Sequence, residues 1–238
     1  IPTNIDGQAV IDENWTVMPG LYSAGEAACV SCHGANRLGT NSLVDLIVFG
    51  RRAGMHVAEY VKGADMPALP TNPTAEIHAE LQRIRQSKGK TRPVEIRRAM
   101  QKLMMDKVSV FRDEAGMTAA LDELFELRQR YVHDLTIDDN GAKYNTDLME
   151  AWELGCLLDV AETTTISALE RKESRGAHSR EDYKDRDDNN WLVHTLFQRT
   201  DGTDLSLSSR EYAINTNKRV DLSLAEHDER FIPKERVY

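Results

Sequence analysis

The sequence predicts a mainly α protein built around an antiparallel helical bundle that is spectrin-repeat-like. Three observations lead to this fold class. After a proline-rich break, four successive stretches carry apolar residues at helical spacing, with short connections between them. Before the break the chain is rich in glycine and short apolar runs, which is typical of a piece of an α/β domain. The end of the chain has short strand-like runs around a turn signal.

These shifts in composition divide the chain into four parts. Residues 1–64 form the α/β piece, residues 65–72 a linker, residues 73–188 the helical bundle domain and residues 189–238 a small C-terminal region. The linker is set apart by closely spaced prolines, which fit neither a helix interior nor a central strand.

Two short strands and a helix are expected in the α/β piece. Val10 and Ile11 lie in the first strand and residues 20–25 in the second, each bounded by turn residues. From about Ser42 onward, apolar residues follow helical spacing, and small residues among them would let this helix pack closely on a sheet. Because such strands normally join a larger sheet, we expect residues 1–64 of the isolated chain to be poorly ordered, domain-swapped or packed on another chain.

The first two bundle helices are predicted from their starting residues and their apolar stripes. Asn72 can cap a helix over residues 74–86, and Pro73 suits its first turn. Pro93 starts the second helix in the same way. Met105, beside the stripe of that helix, is assigned to the core. The stripe itself consists of Ile96, Met100, Leu103, Met104, Val108 and Phe111.

The third and fourth helices are longer. The third is expected over residues 118–133, and its apolar stripe is also assigned to the core. The fourth opens near Asn145 and continues towards Arg175, where Gly176 can terminate it.

The C-terminal region is predicted to form a β-hairpin. Residues 194–199 and 204–208 have strand-like composition and flank the turn signal at residues 200–203.

Charge and hydropathy exclude two classes of protein. The chain of 238 residues has 30 basic and 39 acidic side chains, a formal net charge of −9. This argues against a nucleic-acid binder, which needs a dense basic surface for phosphates. The longest apolar stretches are short and contain Asp, so none can span a bilayer, which takes about 20 residues.

The cysteines allow several interpretations. Three cysteines make no disulfide framework and favour a reducing compartment. Cys29, Cys32 and His33 match the C-x-x-C-H pattern of c-type haem attachment, and the two thiols could also be a redox pair or half of a zinc site. Since no second cysteine pair completes a tetrahedral set, no metal site is expected. We favour small, partly buried thiols, with His33 as a structural histidine bonded to backbone.

Two long motifs carry a family resemblance. Residues 20–54 read GLYSAGEAACVSCHGANRLGTNSLVDLIVFGRRAG, and residues 173–188 begin ESRGAHSREDY. Both resemble the flavoprotein subunit of succinate dehydrogenase and fumarate reductase, the first its flavin-site segment and the second its helical-domain signature. The first residues, IPTN, and the last, PKERVY, are similar to the same family. The resemblance therefore runs along the whole chain.

The resemblance has departures and a large omission. Cys32 stands where the family commonly has Val, Thr40 where it has Gly or Ala, and Lys184 where it has Pro. The Rossmann G-x-G-x-x-G fingerprint is missing, as are the capping domain, the histidine that holds flavin and the arginine that shuttles a proton. The chain thus resembles the C-terminal portion of the family, and residues 1–64 the end of its FAD-binding domain. We expect the isolated chain to be inactive and without FAD.

The resemblance also implies a function for the intact protein. It would oxidise succinate to fumarate with FAD and pass electrons through an iron–sulfur subunit to quinone at membrane anchor subunits. The remaining N-terminal part of the flavoprotein would be a partner of this chain. The expected location is the cytoplasmic side of the bacterial inner membrane, reached peripherally through the partner subunits.

Four site residues follow from the same resemblance. Arg37 would bind the dicarboxylate substrate, since a guanidinium meets a carboxylate in two parallel hydrogen bonds. Glu26 would accept hydrogen bonds from the adenosine ribose of FAD. The backbone amides of Ser42 and Leu43 would face the flavin ring at a helix N-terminus. His178 and the arginines near it are assigned to ion pairs that tie the bundle to the flavin domain or to a partner.

Several alternatives stay open at this stage. A fumarate reductase flavoprotein would use the same residues, and aspartate oxidase is a related but less favoured family. The chain could instead be a scaffold or interaction module without activity, or a small c-type cytochrome.

Overall fold

The structure is a computed structural model that describes residues 1–12, 14–199, 212–214 and 218–219. Helices dominate it, which confirms the mainly α fold class. The helices are α1 (Asn41–Tyr60), α2 (Ala75–Arg85), α3 (Pro93–Lys107), α4 (Glu114–His133), α5 (Thr146–Glu170) and the short α6 (Asp188–Trp191). The strands are β1 (Gln8–Val10), β2 (Val17–Tyr22), β3 (Val193–His194), β4 (Phe197–Arg199), β5 (Tyr212–Ile214) and β6 (Lys218–Arg219).

Helices α2 to α5 form the bundle around one apolar core. Helix α4 packs against both α3 and α5, and α2 packs on α5. Burial of large apolar side chains from all four helices supplies the main stabilising free energy, about 1.5–3 kcal/mol for each such side chain. The most buried core residues are Ile84, Ile96, Met117, Ala120, Leu135, Ala151, Leu154 and Leu158.

Side-chain caps decide where two of these helices begin. The Asp113 carboxylate accepts a hydrogen bond from the Gly116 amide at 2.6 Å, and Asn145 accepts one from the Leu148 amide at 2.7 Å. The predicted start near Asn145 is confirmed. Helix α4 begins at Glu114, earlier than predicted, because Asp113 satisfies an amide of its first turn.

Three predictions about the first two bundle helices are wrong. Helix α2 begins at Ala75 after an uncapped Thr74, so Asn72 does not cap it. Helix α3 ends at Lys107, so Phe111 falls outside its stripe and is 76% exposed. Met105 is 69% exposed and does not join the core, since it points away from the helices that cover Met100.

Helix α5 ends earlier than predicted. It stops at Glu170, because Arg171 is extended, with φ −77° and ψ 100°. Gly176, with φ +58°, lies in a turn beyond the helix and does not terminate it. The guanidinium of Arg180 closes the helix end by donating hydrogen bonds to the carbonyls of Ala168 at 3.1 Å and Leu169 at 2.9 Å.

The first part of the chain is a small layer of two strands and a helix. Strands β1 and β2 are antiparallel, and α1 packs on them. Gly7 makes the approach possible, since a Cβ there would lie 2.8 Å from the Cβ of Ala53 on α1. With only two strands beneath it, α1 leaves most of its large apolar residues exposed; these include Leu43, Val44, Leu46, Ile47, Val48 and Met55.

The C-terminal strands form antiparallel pairs. Strand β4 pairs with β5, and β3 pairs with β6. The predicted turn at residues 200–203 and the predicted strand at 204–208 lie outside the described residues. The strand that pairs with β4 is β5, farther along the chain than the predicted partner.

Two further findings concern the organisation of the chain. Helix α1 ends at Tyr60 and α2 begins at Ala75, on either side of the predicted linker, while the domain boundaries themselves stay a prediction. None of the described helices combines the length and the apolar composition that a membrane-spanning segment requires.

Candidate functional site

The predicted site residues lie around the loop that joins β2 to α1. After β2, Gly25 adopts φ +77°, and a Cβ there would lie 3.3 Å from the Cβ of Leu46. This close approach places the following 3₁₀ turn, Gly25–Ala27, against α1. The Arg37 guanidinium donates a hydrogen bond to Glu26 Oε1 at 3.3 Å. The structure therefore brings Glu26 and Arg37 together, although they are eleven positions apart in the sequence.

The helix N-terminus lies at the end of the same loop. Helix α1 begins at Asn41, whose amide bonds the Leu38 carbonyl at 3.0 Å, and the Ser42 hydroxyl donates to the Gly39 carbonyl at 2.9 Å. Thr40 makes no side-chain cap. The amides of Ser42 and Leu43 belong to the first turn, where no intrahelical carbonyl can accept them and the helix dipole is positive. These amides suit a polar group that carries negative charge.

A buried carboxylate fixes the middle of the loop. His33 Nε2 lies 2.6 Å from Asp45 Oδ2, and Asp45 is 9% exposed. The predicted backbone partner of His33 is therefore replaced by a carboxylate on α1. Sequence reasoning missed Asp45, although an acidic residue inside the apolar run of α1 was a usable signal.

The thiol of Cys32 lies close to both His33 and Asp45. Cys32 is free and exposed, as are Cys29 and Cys156. Partial burial and the nearby negative charge of Asp45 raise the pKa of the Cys32 thiol. The ligand atoms of Cys32, His33 and Asp45 all lie within 4.8 Å of one another.

The second sequence motif packs on the back of this loop. The Ala177 amide donates to the Ala35 carbonyl at 3.3 Å, and a Cβ on Gly176 would lie 2.9 Å from the Ala35 backbone. The Ser31 hydroxyl lies 2.9 Å from His194 Nε2. The bundle and the C-terminal region thus hold the loop that carries Arg37.

Ion pairs hold the second motif in shape. Glu173 is fully buried and accepts hydrogen bonds from Arg171 at 3.0 Å and Arg175 at 2.8 Å. Burial alone would raise the pKa of Glu173, but the bonds from Arg175, the Asp187 amide and Arg171 outweigh it and lower that pKa.

His178 has a structural role in the same motif. Its Nε2 lies 3.0 Å from the Arg171 carbonyl. Burial, together with nearby arginine charges, lowers the pKa of His178, so the neutral imidazole is favoured. The ring supports the turn that contacts Ala35 and has no place in the loop around Arg37.

Comparison with known proteins bears on the identity of this arrangement. The family described as "Fumarate reductase flavoprotein C-term" matches residues 97–238, and an FAD binding domain family matches residues 1–43. The chain is 46% identical over 204 residues to the succinate dehydrogenase flavoprotein subunit of Rickettsia bellii, which covers 82% of this chain and 33% of that protein. The chain belongs to the flavoprotein family of succinate dehydrogenase and fumarate reductase.

Solved structures of the family have the same fold. An E. coli quinol fumarate reductase chain is similar with a TM-score of 0.78 and 34% identity, over 92% of this chain and 36% of that one. Mycobacterium smegmatis Sdh1 is similar with a TM-score of 0.81 and 30% identity, over 96% of this chain and 37% of that one. The chain thus spans about a third of the length of the relatives it matches.

The residues present fit the cofactor of the family. An exposed acid after a strand can accept hydrogen bonds from ribose hydroxyls, and a helix N-terminus without a side-chain cap can donate amides to anionic groups. Residues 1–43, which match the FAD binding domain, contain all of these features. FAD is therefore confirmed as the cofactor of the intact protein.

Proposed function

We propose that this chain is the C-terminal part of a succinate dehydrogenase flavoprotein subunit, an FAD-dependent succinate:quinone oxidoreductase. The observation that carries the proposal is the placement of Arg37 and Glu26 on one loop at the N-terminus of α1. Such a loop can present a cation to a dicarboxylate, an acid to a ribose and free amides to a flavin ring.

Arg37 is the proposed substrate ligand. Its only described ion-pair partner is Glu26, at 3.3 Å and with an 88% exposed side chain, so this pair is weak and easily exchanged. A substrate carboxylate would accept two parallel hydrogen bonds from the guanidinium and hold the substrate in one orientation. The charge of Arg37 would favour the dianionic substrate, and FAD held at this loop would supply the hydride-accepting chemistry.

Glu26 and the first turn of α1 are the proposed cofactor ligands. The Glu26 carboxylate would accept hydrogen bonds from ribose hydroxyls, which would release Arg37 from its present partner. The amides of Ser42 and Leu43 would donate to the flavin ring, and the positive end of the helix dipole would stabilise added negative charge there.

Three kinds of partner follow from the proposal. The remaining N-terminal part of the flavoprotein would cover the exposed apolar face of α1. An iron–sulfur subunit would accept electrons and pass them to quinone at membrane anchor subunits. The protein would then lie on the cytoplasmic side of the bacterial inner membrane through these partners. Similarity to a structure described as an apo Sdh1 complex of Mycobacterium smegmatis supports membership of a larger assembly.

The test of the substrate role uses the full-length, FAD-loaded flavoprotein that carries this chain. Replacing Arg37 with Met should lower kcat/KM for succinate by about 10²–10³, because an oriented charge is lost from the site. Arg37→Lys should recover only part, since Lys lacks the planar fork. Arg52→Met is the control, since Arg52 pairs with Asp6 on the surface. Unchanged succinate oxidation in Arg37→Met would refute the proposal.

Fumarate reduction is the second candidate for the physiological direction. Similarity to E. coli quinol fumarate reductase, at 34% identity, is the observation that supports this candidate. Comparing the rates of succinate oxidation and fumarate reduction by the same complex, with each quinone type, decides between the two.

We also propose that the isolated chain has no activity and binds no FAD, and acts only as a folded part of the subunit. An absorbance spectrum with the intact mass tests this. A colourless protein of 26.9 kDa supports it. A flavin spectrum contradicts it, and a haem spectrum with added mass on Cys29 and Cys32 would restore the c-type cytochrome alternative.

A further inference from the structure

One motif has no part in the proposed oxidoreductase site. Cys32 and His33 close the C-x-x-C-H pattern, and the fold places them beside Asp45 of α1. A thiol, an imidazole and a carboxylate are three different ligand types, brought together from two separated stretches of chain. In the part of the chain that the structure describes, this is the one group of three such side chains close enough to share a metal ion.

We propose that Cys32, His33 and Asp45 form a binding site for Zn²⁺. Thiolate sulfur, imidazole nitrogen and carboxylate oxygen are the three protein ligands of zinc, and a set of three leaves a fourth position for water. The site uses none of the four residues assigned to the proposed oxidoreductase function, and it goes beyond that function.

The distances suit this ion. Zinc bonds of about 2.0–2.3 Å in a tetrahedron hold the ligand atoms about 3.3–3.8 Å apart. Here His33 Nε2 and Asp45 Oδ2 are 2.6 Å apart, and no pair of ligand atoms in the group is more than 4.8 Å apart. The His33–Asp45 contact is shorter than zinc requires and would have to open by about 0.7 Å, while the upper limit of 4.8 Å leaves room for the longer separations to the sulfur of Cys32.

The three residues differ in burial, and each degree of burial suits a different requirement of a metal site. Asp45 is buried on a helix of twenty residues and gives a rigid anchor. His33 is half-buried and already oriented towards Asp45 by their contact. Cys32 is exposed, so an ion can enter from solvent at the sulfur side.

Cys32 supplies the sulfur ligand of the site, and without it only a histidine and a carboxylate would remain. The absence of a second cysteine pair, which led to the expectation of no metal site, does not exclude a mixed site of this kind. It also differs from a site made by the thiol pair Cys29 and Cys32, which would not use Asp45.

The experiment measures Zn²⁺ binding to the full chain, reduced and freed of metal, by equilibrium dialysis against zinc chloride. Co²⁺ serves as a second probe, since a cobalt–thiolate bond gives an absorption band that reports coordination by sulfur. We expect one Zn²⁺ per chain and a thiolate band with Co²⁺. Absence of stoichiometric Zn²⁺ binding overturns the proposal.

Four variants identify the ligands. Cys32→Val, which removes the thiol, and Asp45→Asn should each weaken Zn²⁺ binding at least about tenfold. Cys156→Ser, which removes a remote exposed thiol, and Cys29→Ser should leave binding unchanged. Circular dichroism shows whether each variant keeps its helices.

Two results among the variants would overturn the proposal. One is unchanged Zn²⁺ binding in Cys32→Val. The other is a loss in Cys29→Ser as large as that in Cys32→Val while Asp45→Asn binds normally, since that pattern belongs to the thiol pair. If Asp45→Asn loses helix content, Cys32→Val and the cobalt band still decide, because Cys32 is exposed and its replacement leaves the core packing in place.

Discussion

Helices α1 and α4 are both twenty residues long, yet they differ sharply in what they bury. Helix α4 buries six side chains, mostly apolar, within the bundle. Helix α1 buries two, and one of them is the carboxylate of Asp45. Both helices carry apolar residues at helical spacing, so periodicity alone does not decide burial. The surfaces available to pack against decide it.

The difference distinguishes a region that covers its own apolar side chains from one that would need a further surface to cover them. The bundle closes its own core with side chains from α2 to α5. The first part of the chain offers a two-stranded sheet, which is too small to cover α1. The proposed site lies in this dependent region, where exposed groups stay free to meet a cofactor and a substrate. The following predictions test the contrast, from the largest expected effect to the smallest.

Replacing one arginine in each region compares how much a buried and an exposed charge contribute to the free energy of unfolding. Arg180 is fully buried and makes a two-bond contact with Asp182, both bonds at 2.7 Å, besides closing the end of α5. Arg180→Met should lower the free energy of unfolding by about 3–5 kcal/mol, because buried acceptors lose their partner. Arg52 also bonds a carbonyl and a carboxylate but is exposed, so Arg52→Met should cost about 1 kcal/mol or less.

Urea unfolding followed by far-ultraviolet circular dichroism measures both variants. Similar small losses for the two would mean that the second motif does not hold the bundle end as its geometry indicates.

Truncating one apolar side chain on α5 and one on α1 compares the stability that a covered and an uncovered helix face contribute. Leu154→Ala, at a fully buried position of α5, should cost about 2–5 kcal/mol through lost burial and the cavity left behind. Ile47→Ala, at an exposed position of α1, should change the stability of this chain by about 0.5 kcal/mol or less.

The same two variants in the full-length flavoprotein sharpen the comparison. If the rest of the FAD-binding domain covers α1, Ile47→Ala should become costly there while Leu154→Ala keeps its effect. An Ile47→Ala variant that is equally harmless in the full-length protein would contradict that partner.

Glycine substitutions test the packing of α1 on the strands. Gly7→Ala should destabilise the first part of the chain by about 1–3 kcal/mol, because φ is +76° and the new Cβ would meet Ala53. Gly50→Ala, within α1 and with open space around it, should be neutral or stabilise the helix by up to about 1 kcal/mol. Amide hydrogen exchange should quicken in residues 1–64 of Gly7→Ala and stay unchanged in the bundle. Faster exchange throughout would mean that the two regions unfold together.

Acid stability should depend on Asp182. The bidentate contact with Arg180 lowers the pKa of Asp182 from 3.8 to about 2. A lowered native pKa contributes stability that is present above the unfolded value and lost as pH falls from about 4 to about 2. Asp182→Asn should flatten this decline, whereas Asp138→Asn, in an exposed pair with Arg92, should not. Urea unfolding between pH 5 and pH 2.5 provides the measurement, and parallel declines in all three proteins would contradict the assignment.

Much of the fold and part of the site could be predicted from the chain alone. The four bundle helices follow from local periodicity, and Pro93 and Asn145 mark two starts because capping depends on neighbouring residues. The two long motifs were sufficient to predict the family and its cofactor. The roles of Arg37, Glu26, Ser42 and Leu43 stay predictions, although the structure brings these residues to one loop and helix end.

Other features depend on residues that are distant in sequence. The end of α5 at Glu170 depends on Arg180, the position of Ala35 depends on Gly176, and the partner of His33 is Asp45. The exposure of Phe111 depends on where α3 stops. Local patterns determined the helices, their apolar faces and the family. Only the tertiary structure decided which faces are covered, which charges pair and which ligand atoms converge, because these depend on how separate elements pack against one another.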